Sequence, residues 1–295
     1  MTFDSDYVSV SGTDYPLFVS ADVAIRRVVE RCKIKIQLSG GSSTRGWSAW
    51  RILEQCPYLY YLKYVAREPL VVESASSARD IGSLVHAFLA IHYRCFKRFT
   101  VEDFIQAIMD ESVNPMALIT ARSVFDAYRV HYSPDIFVPL AVEVPAMDPL
   151  TQNTCRYDAV VRVDDPPEGI SKGIWICEHK TASRFTADVL DGWVLDGEIL
   201  GELAFWKPAG MDKKFGKLQG VIINVLGKQK VPQFYRTYVA PVAVHTEMHT
   251  KNLAWLDAFL GRCHKTKTWP QYFASCMGRY GKCDAFDHCL NRGLE

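Results

Sequence analysis

Between Phe137 and Lys180 the chain reads as three β-strands that carry charge where apolar strands rarely do. Phe137-Val-Pro-Leu-Ala-Val-Glu-Val144 and Cys155-Arg-Tyr-Asp-Ala-Val-Val-Arg-Val163 are rich in β-branched and aromatic residues. A turn-rich Asp164-Asp-Pro-Pro-Glu-Gly169 follows, and then Gly173-Ile-Trp-Ile-Cys-Glu-His-Lys180. The last two strands read as a hairpin. Asp158 lies six residues before Asp164 and Glu178 six after Lys172, so antiparallel pairing about the loop centre brings the two carboxylates together. Side chains alternate across a strand, which puts Glu178 and Lys180 on one face and Trp175 and Cys177 on the other. Three charged groups at the end of an apolar strand are costly unless something compensates them. A divalent cation held by oxygen ligands would do so; a solvated hairpin face with a salt bridge is the other reading these residues allow.

A second constellation lies upstream. Ile81-Gly-Ser-Leu-Val-His-Ala-Phe-Leu-Ala-Ile91 is an apolar helix interrupted by Gly82 and His86, which share one face at i and i+4. Helical side chains lean toward the N-terminus, so the side chain that Gly82 lacks is expected to leave room beside the His86 ring. Alone, this is a core histidine; with Asp158 and Glu178-x-Lys180 downstream, it becomes a candidate ligand.

The chain has nine cysteines, an odd count that in a reducing compartment points to metal binding or burial more than to disulfides. Cys32, Cys95, Cys155, Cys177 and Cys263 stand among apolar or mixed neighbours and read as small buried hydrophobes. Cys276, Cys283 and Cys289 are different, because they crowd a polar, glycine-containing tail in the manner of metal ligands. A four-ligand site needs one more donor. Either His288 completes a local zinc site, or a thiolate comes from upstream, where Cys56 sits at the expected corner between two helices, just before a helix-starting Pro57.

The order Gly-x-x-x-His, Asp, Glu-x-Lys, with an early Cys-Pro and three late cysteines, resembles the RecB-type branch of the PD-(D/E)xK nuclease superfamily. More narrowly, it resembles the CRISPR-associated and phage-borne exonucleases whose nuclease core is clasped by a four-cysteine iron–sulfur cluster. The likeness runs from Trp47 to Cys289. It implies an α/β fold with a restriction-endonuclease-like core, a mixed sheet flanked by helices, and helical N- and C-terminal parts joined at the cluster. It implies metal-dependent hydrolysis of DNA, with His86, Asp158, Glu178 and the backbone carbonyl of His179 holding Mg²⁺ or Mn²⁺ and Lys180 handling the attacking water. It implies a 4Fe-4S cluster on Cys56, Cys276, Cys283 and Cys289, for which structural Zn²⁺ is the alternative. One motif departs from the pattern: where the family carries Gln-x-x-x-Tyr after the catalytic strand, this chain has Glu198 and Glu202. Two carboxylates there would repel phosphate unless they face metal or a basic side chain.

Charge constrains the partner. Lys+Arg 34 against Asp+Glu 33 leaves a net charge of +1, which excludes coating of nucleic acid by bulk electrostatics and requires a local grip. Lys213, Lys214 and Lys217, in a lysine-rich run with Lys207, Lys228 and Lys230, are candidates to track phosphates, with Trp47, Trp50, Tyr58 and Tyr61 offering faces for bases. A solvated loop and core aromatics are the alternatives. His245 and His249, at i and i+4, read as part of a surface helix. No apolar stretch reaches the ~20 residues of a membrane span, and the acidic N-terminus does not read as a secretory signal, so a cytoplasmic location is expected.

The chain divides into an N-terminal extension (1–46), with a Ser/Gly-rich joint at 39–44, and a helical cap (47–135) helical over Thr100 to His131. A nuclease core (136–242) and a C-terminal helix with the three-cysteine tail (243–295) complete it. The expected function is a DNA exonuclease preferring single strands or ends, in recombination, end processing or CRISPR-type spacer acquisition, with recombination, helicase or CRISPR integrase proteins as partners. The alternative is a weakly active or inactive nuclease-fold DNA-binding partner with a structural metal cluster.

Overall fold

The computed structural model describes residues 18–34, 43–68, 70, 76–94, 99–184, 186–278 and 281–291. Residues 39–42 of the Ser/Gly joint, and Cys95, lie outside them. In chain order the elements are α1 (Ala21–Arg31), α2 (Trp47–Gln55), α3 (Pro57–Tyr60) continued by a π-helical turn (Tyr61–Ala66), α4 (Ser76–Arg94), α5 (Val101–Met109) and α6 (Pro115–His131). Then come β1 (Phe137–Met147), β2 (Thr154–Val163), β3 (Gly173–Ala182), α7 (Ala187–Val194), α8 (Gly197–Phe205), α9 (Met211–Phe215), β4 (Leu218–Gly227) and β5 (Phe234–Val239). A long α10 (Ala243–Thr266), the two-residue strands β6 (Met277–Gly278) and β7 (Gly281–Lys282), and α11 (Phe286–Asn291) end the chain.

β1 to β5 form one five-stranded sheet in sequence order. All neighbours are antiparallel except β3 and β4. That parallel pair needs a crossover, which α7–α9 supply. Both faces of the sheet are covered. On one side α1, α4, α5 and α6 bring Ile25, Leu84, Phe88, Phe104 and Phe125 against Ala159, Val161, Trp175 and Cys177. On the other, Ile199, Leu203 and Trp206 pack on Tyr157, Val160, Ile176 and Ile223. Central strands buried on both faces read as nearly continuous apolar runs, which is why the charges at 158 and 178 stand out.

The hairpin register agrees with the sequence: Ala159 pairs with Cys177 and Arg162 with Ile174, and one step further sets Asp158 opposite Glu178. The expected helical stretch is α5, started by a Thr100–Asp103 capping box, and α6, capped by Asn114. Pro57 is the first residue of α3, and Cys56 occupies the corner before it. Neither α1 nor β5 was anticipated. Within the N-terminal extension, α1 buries Ala21, Ala24, Ile25 and Val28 in the main core, and β5 adds an edge strand.

α10 closes the molecule from the side. Its Leu253, Leu256 and Leu260 pack against Ala49, Trp50 and Leu53 of α2 and Phe205 of α8. No described helix is long and apolar enough to cross a membrane.

Candidate active site

The end of β2 and of β3 nearest α8 carries a row of carboxylates. Asp158, 8% exposed, accepts a hydrogen bond from the His179 amide at 2.9 Å, and its Oδ2 lies 3.3 Å from Nδ1 of His86 on α4. Glu178 is 3% exposed; its Oε1 accepts from the Lys180 ammonium at 2.8 Å, while its Oε2 is buried without a hydrogen-bond partner. Lys180 is shared, because it also pairs with Glu198 of α8. One turn on, Glu202 is 1% exposed, with its Oε2 likewise buried and without a partner. Glu178 and Lys180 thus share a face with α8, as strand parity requires.

Glu143 on β1 belongs to the same row, although sequence reasoning missed it. It stands level with Asp158, between the Val142–Ala159 and Val144–Tyr157 pairs, and its carboxylate lies 2.7 Å from Nε of Arg156. Its φ of 50° is left-handed, which costs a non-glycine residue ~1–3 kcal/mol and persists only where the surroundings enforce it. The available signal was the one used for Asp158: a carboxylate inside an apolar strand.

Crowding of buried acids sets their protonation. Burial, then the Asp158 charge, pushes Glu143 up to about 8 and Glu178 also to about 8. Burial, then Glu178 and Glu198, raises Glu202 well above the ordinary range. Burial pulls on His86, but Asp158 outweighs it and lifts the imidazole to about 9. Asp158 itself is held below the usual carboxylate range, because His86 and the His179 amide outweigh its burial.

His179 points the other way. Its Nδ1 accepts a hydrogen bond from Asn224 Nδ2 at 2.9 Å, and its ring stacks on Tyr93 with centroids 5.8 Å apart. The same amide nitrogen of Asn224 donates to Tyr128 Oη at 3.0 Å, and Asn224 Oδ1 accepts from Arg236 Nε at 3.1 Å. Arg236 grips Asp135 with both terminal nitrogens, at 2.7 and 2.9 Å, and lies 3.5 Å over the Tyr132 ring. Tyr93 donates to Asp135 at 2.8 Å and meets Tyr128 Oη. Burial drives His179 down to about 3, so it is neutral, with Nδ1 as an acceptor.

A cleft of about 1280 Å³ opens over this row, lined by His86, Glu143, Asp158, Glu178, Lys180, Glu198 and Glu202 among others. Trp47 lines it, seated on Gly197, where a Cβ would come within 2.1 Å of its ring, and 5.5 Å from the His249 ring. Arg26, Arg51 and Arg79 reach the cleft from α1, α2 and α4, joined by Lys63 and Arg156.

Other candidate residues stand outside the acid row. Lys213, Lys214 and Lys217 are exposed on α9 and just before β4, at the opposite end of β3 from Glu178, since Leu218 pairs with Ile174. They lie outside the cleft lining. Tyr61 is also outside it, packed on Tyr58 and Trp269. His249 is buried in the cleft wall instead of lying on a surface helix, and burial lowers it to about 4. Gly82 does not make room for the imidazole: a Cβ there would meet Thr181 Oγ1 at 3.2 Å, so the glycine lets α4 close on β3.

The donor set of His86, Asp158 and Glu178 suits Mg²⁺ or Mn²⁺, with the imidazole favouring Mn²⁺. The bare Glu178 Oε2 is a buried oxygen that a cation would satisfy. Among the described residues, no three His, Cys, Asp or Glu side chains already surround one point as ligands. Three of the four candidate cluster cysteines share one packing cluster. Cys56, Cys283 and Cys289 pack around Tyr58, Leu59, Leu62 and Ala285, and the Cys283 amide donates to the Cys276 carbonyl at 2.9 Å. Burial raises the Cys283 thiol, with Cys276 and Cys56 adding to it. His288 faces Tyr58 Oη at 3.3 Å.

A paired acid row with an adjacent lysine, on a mixed sheet between helices, defines a class, and the family model of the PD-(D/E)XK nuclease superfamily matches residues 47–195. The match takes in half of the chain, including His86, Asp158, Glu178 and Lys180, and the chain belongs to that superfamily. In fold it is similar to the crystal structure of a "putative exonuclease" from Eubacterium rectale, with a TM-score of 0.50, 12% identity, and 83% of this chain and 87% of that one covered. No curated protein matches it in sequence.

Proposed function

We propose that this nuclease is a metal-dependent DNA exonuclease acting on single strands or DNA ends, in recombination, end processing or CRISPR-type spacer acquisition. The observation that carries the reading is Glu178, buried opposite Asp158 and beside His86, with one oxygen on Lys180 and the other bare. His86, Asp158, Glu178 and the His179 carbonyl would hold Mg²⁺ or Mn²⁺. When bound, the ion would supply Lewis acidity at the scissile phosphate and lower the pKa of water. Lys180 orients the attacking water and offsets phosphate charge, and the buried row excludes bulk solvent from the reacting atoms. Arg26, Arg51, Arg79 and Lys63 line the approach for the strand, with Trp47 as a stacking face.

Cys56, Cys276, Cys283 and Cys289 would hold a 4Fe-4S cluster that ties α2 and α3 to the tail; the shared packing of Cys56, Cys283 and Cys289, with Cys276 joined to Cys283 through the backbone, supports this, and structural Zn²⁺ is the competing occupant. Anaerobic purification distinguishes them, brown for iron–sulfur and colourless with stoichiometric zinc otherwise. The function is tested on end-labelled single- and double-stranded DNA with Mn²⁺ and with EDTA: degradation from ends in Mn²⁺ alone supports it. A second reading, a weakly active regulatory partner, is favoured by one observation, the engagement of Lys180 by both Glu178 and Glu198. Binding of DNA without cleavage in Mn²⁺ would select it.

A further inference from the structure

Asn224 stands in the middle of an apolar strand, Gly220-Val-Ile-Ile-Asn-Val-Leu226, and is 0% exposed. A buried amide there is costly unless its polar atoms are used. Its neighbours across the sheet are His179 on β3 and Arg236 on β5, so the three residues form a row across the strands. A guanidinium can only donate, so the atom that meets Arg236 must be Asn224 Oδ1, and the amide nitrogen is then turned to His179 Nδ1. The His179 ring is held on its other sides as well. It lies 4° from parallel to the Tyr93 ring and meets the His86 ring at right angles, with centroids 6.0 Å apart.

The backbone of the same residue faces the acid row. Pairing of β2 with β3 runs as far as Ala159 and Cys177. Two residues on, the His179 amide goes to the Asp158 carboxylate, and in an extended strand the carbonyl of a residue points to the same edge as its amide.

We propose that Asn224 is a positioning residue for the metal centre. By fixing the His179 ring it fixes the His179 peptide, whose amide aims Asp158 and whose carbonyl is the ligand. Arg236, tied to Asp135 and Tyr128, keeps the Asn224 amide from turning over. This inference rests on the nuclease reading and adds to it a residue of β4 that touches neither metal nor DNA.

The test is calorimetric titration of Mn²⁺ into the purified full-length protein, beside steady-state cleavage of DNA. Asn224→Leu is expected to bind Mn²⁺ ~10–100-fold more weakly, with kcat reduced and KM for DNA unchanged. Phe104→Leu, in the same core on α5, should lower the melting temperature and leave Mn²⁺ affinity as it was. Wild-type affinity in Asn224→Leu overturns the proposal, and so does an equal loss in Phe104→Leu, which would make the effect a general loosening of the core. Should Asn224→Leu fail to fold, Arg236→Leu with Asp135→Leu removes both charges together and frees the Asn224 amide. That pair should lose ~10-fold in Mn²⁺ affinity, and wild-type affinity there overturns the proposal equally. A wild type that binds no Mn²⁺ sinks the nuclease reading and this inference with it; one that binds Mn²⁺ and degrades DNA, with Asn224→Leu indistinguishable from it, sinks this inference alone.

Discussion

On the α4 and α6 side of β3, His179 meets Asn224, which meets Arg236 and Tyr128, which meet Asp135 and Tyr93, and the polar groups of that chain are joined by hydrogen bonds. One residue away, on the α8 side, Glu178 and Glu202 each keep a buried oxygen with nothing to bond. Both clusters are polar, buried and built on the same strand, so burial alone does not mark function. The difference is completeness. A satisfied network holds its strand in place, and an unsatisfied one waits for a group from outside.

The largest effect should fall on the unsatisfied side. Glu178→Ala, Asp158→Ala and Lys180→Ala are each expected to reduce cleavage of DNA to background, with the fold intact by circular dichroism. A purified Glu178→Ala protein that degrades DNA at the wild-type rate would break the comparison. On the satisfied side the expected damage is to stability. Arg236→Leu leaves half-buried Asp135 with the Tyr93 hydroxyl but without its guanidinium, and should cost ~1.5–3 kcal/mol in urea unfolding, much of it recovered by Asp135→Leu in the same chain.

Metal and pH should move the unsatisfied side next. Glu178 and Glu143 are raised to about 8, so their contribution is fully present below the unfolded carboxylate range near 4.5 and is lost as pH rises through 8. His86, raised to about 9, contributes fully below about 6.5 and loses its share as pH rises through 9. The metal-free protein should therefore melt lower at pH 8.5 than at pH 6. Mn²⁺ at ~100 times its dissociation constant should restore ~2.7 kcal/mol, by replacing protons among the carboxylates. A melting temperature independent of pH in EDTA would contradict the crowding of acids. The smallest effect concerns the cleft rim. Arg51→Ala with Arg79→Ala should flatten the salt dependence of single-strand binding by ~1.4 in log–log slope, whereas Lys213→Ala with Lys214→Ala should leave it unchanged.

What was readable in the sequence was local. The hairpin register follows from the loop centre, and the faces of Glu178 and Lys180 follow from a period of two, so both needed only neighbouring residues. The corner at Cys56 needed only Pro57. Glu143 was visible by the same logic, yet its partner Asp158 is set by a register with a bulge between Pro139 and Ala141, which shifts the pairing by one. The lysine run lies away from the acid row for a topological reason. A crossover between parallel strands must carry the chain back to the end where the first strand began, so residues soon after the catalytic strand arrive far from it. The arginines that do line the cleft come from α1, α2 and α4, and no spacing rule connects them to Glu178.

α10 and the segment after it are seated on α2 and α3 and the residues just before them. Tyr58 donates its amide to the Pro270 carbonyl, Lys63 pairs with Asp284, and Arg45 with Asp257. Contacts across more than two hundred residues form slowly, because the loop must close before they repay it. During synthesis, α2 and α3 therefore remain without their packing partners until α10 and the tail have left the ribosome. Trp47, which walls the cleft from the start of α2, reaches its place against His249 only then. In a nuclease assembled in this order, the cleft wall at Trp47 and the corner at Cys56 are finished only when α10 and the cysteine segment dock on α2 and α3.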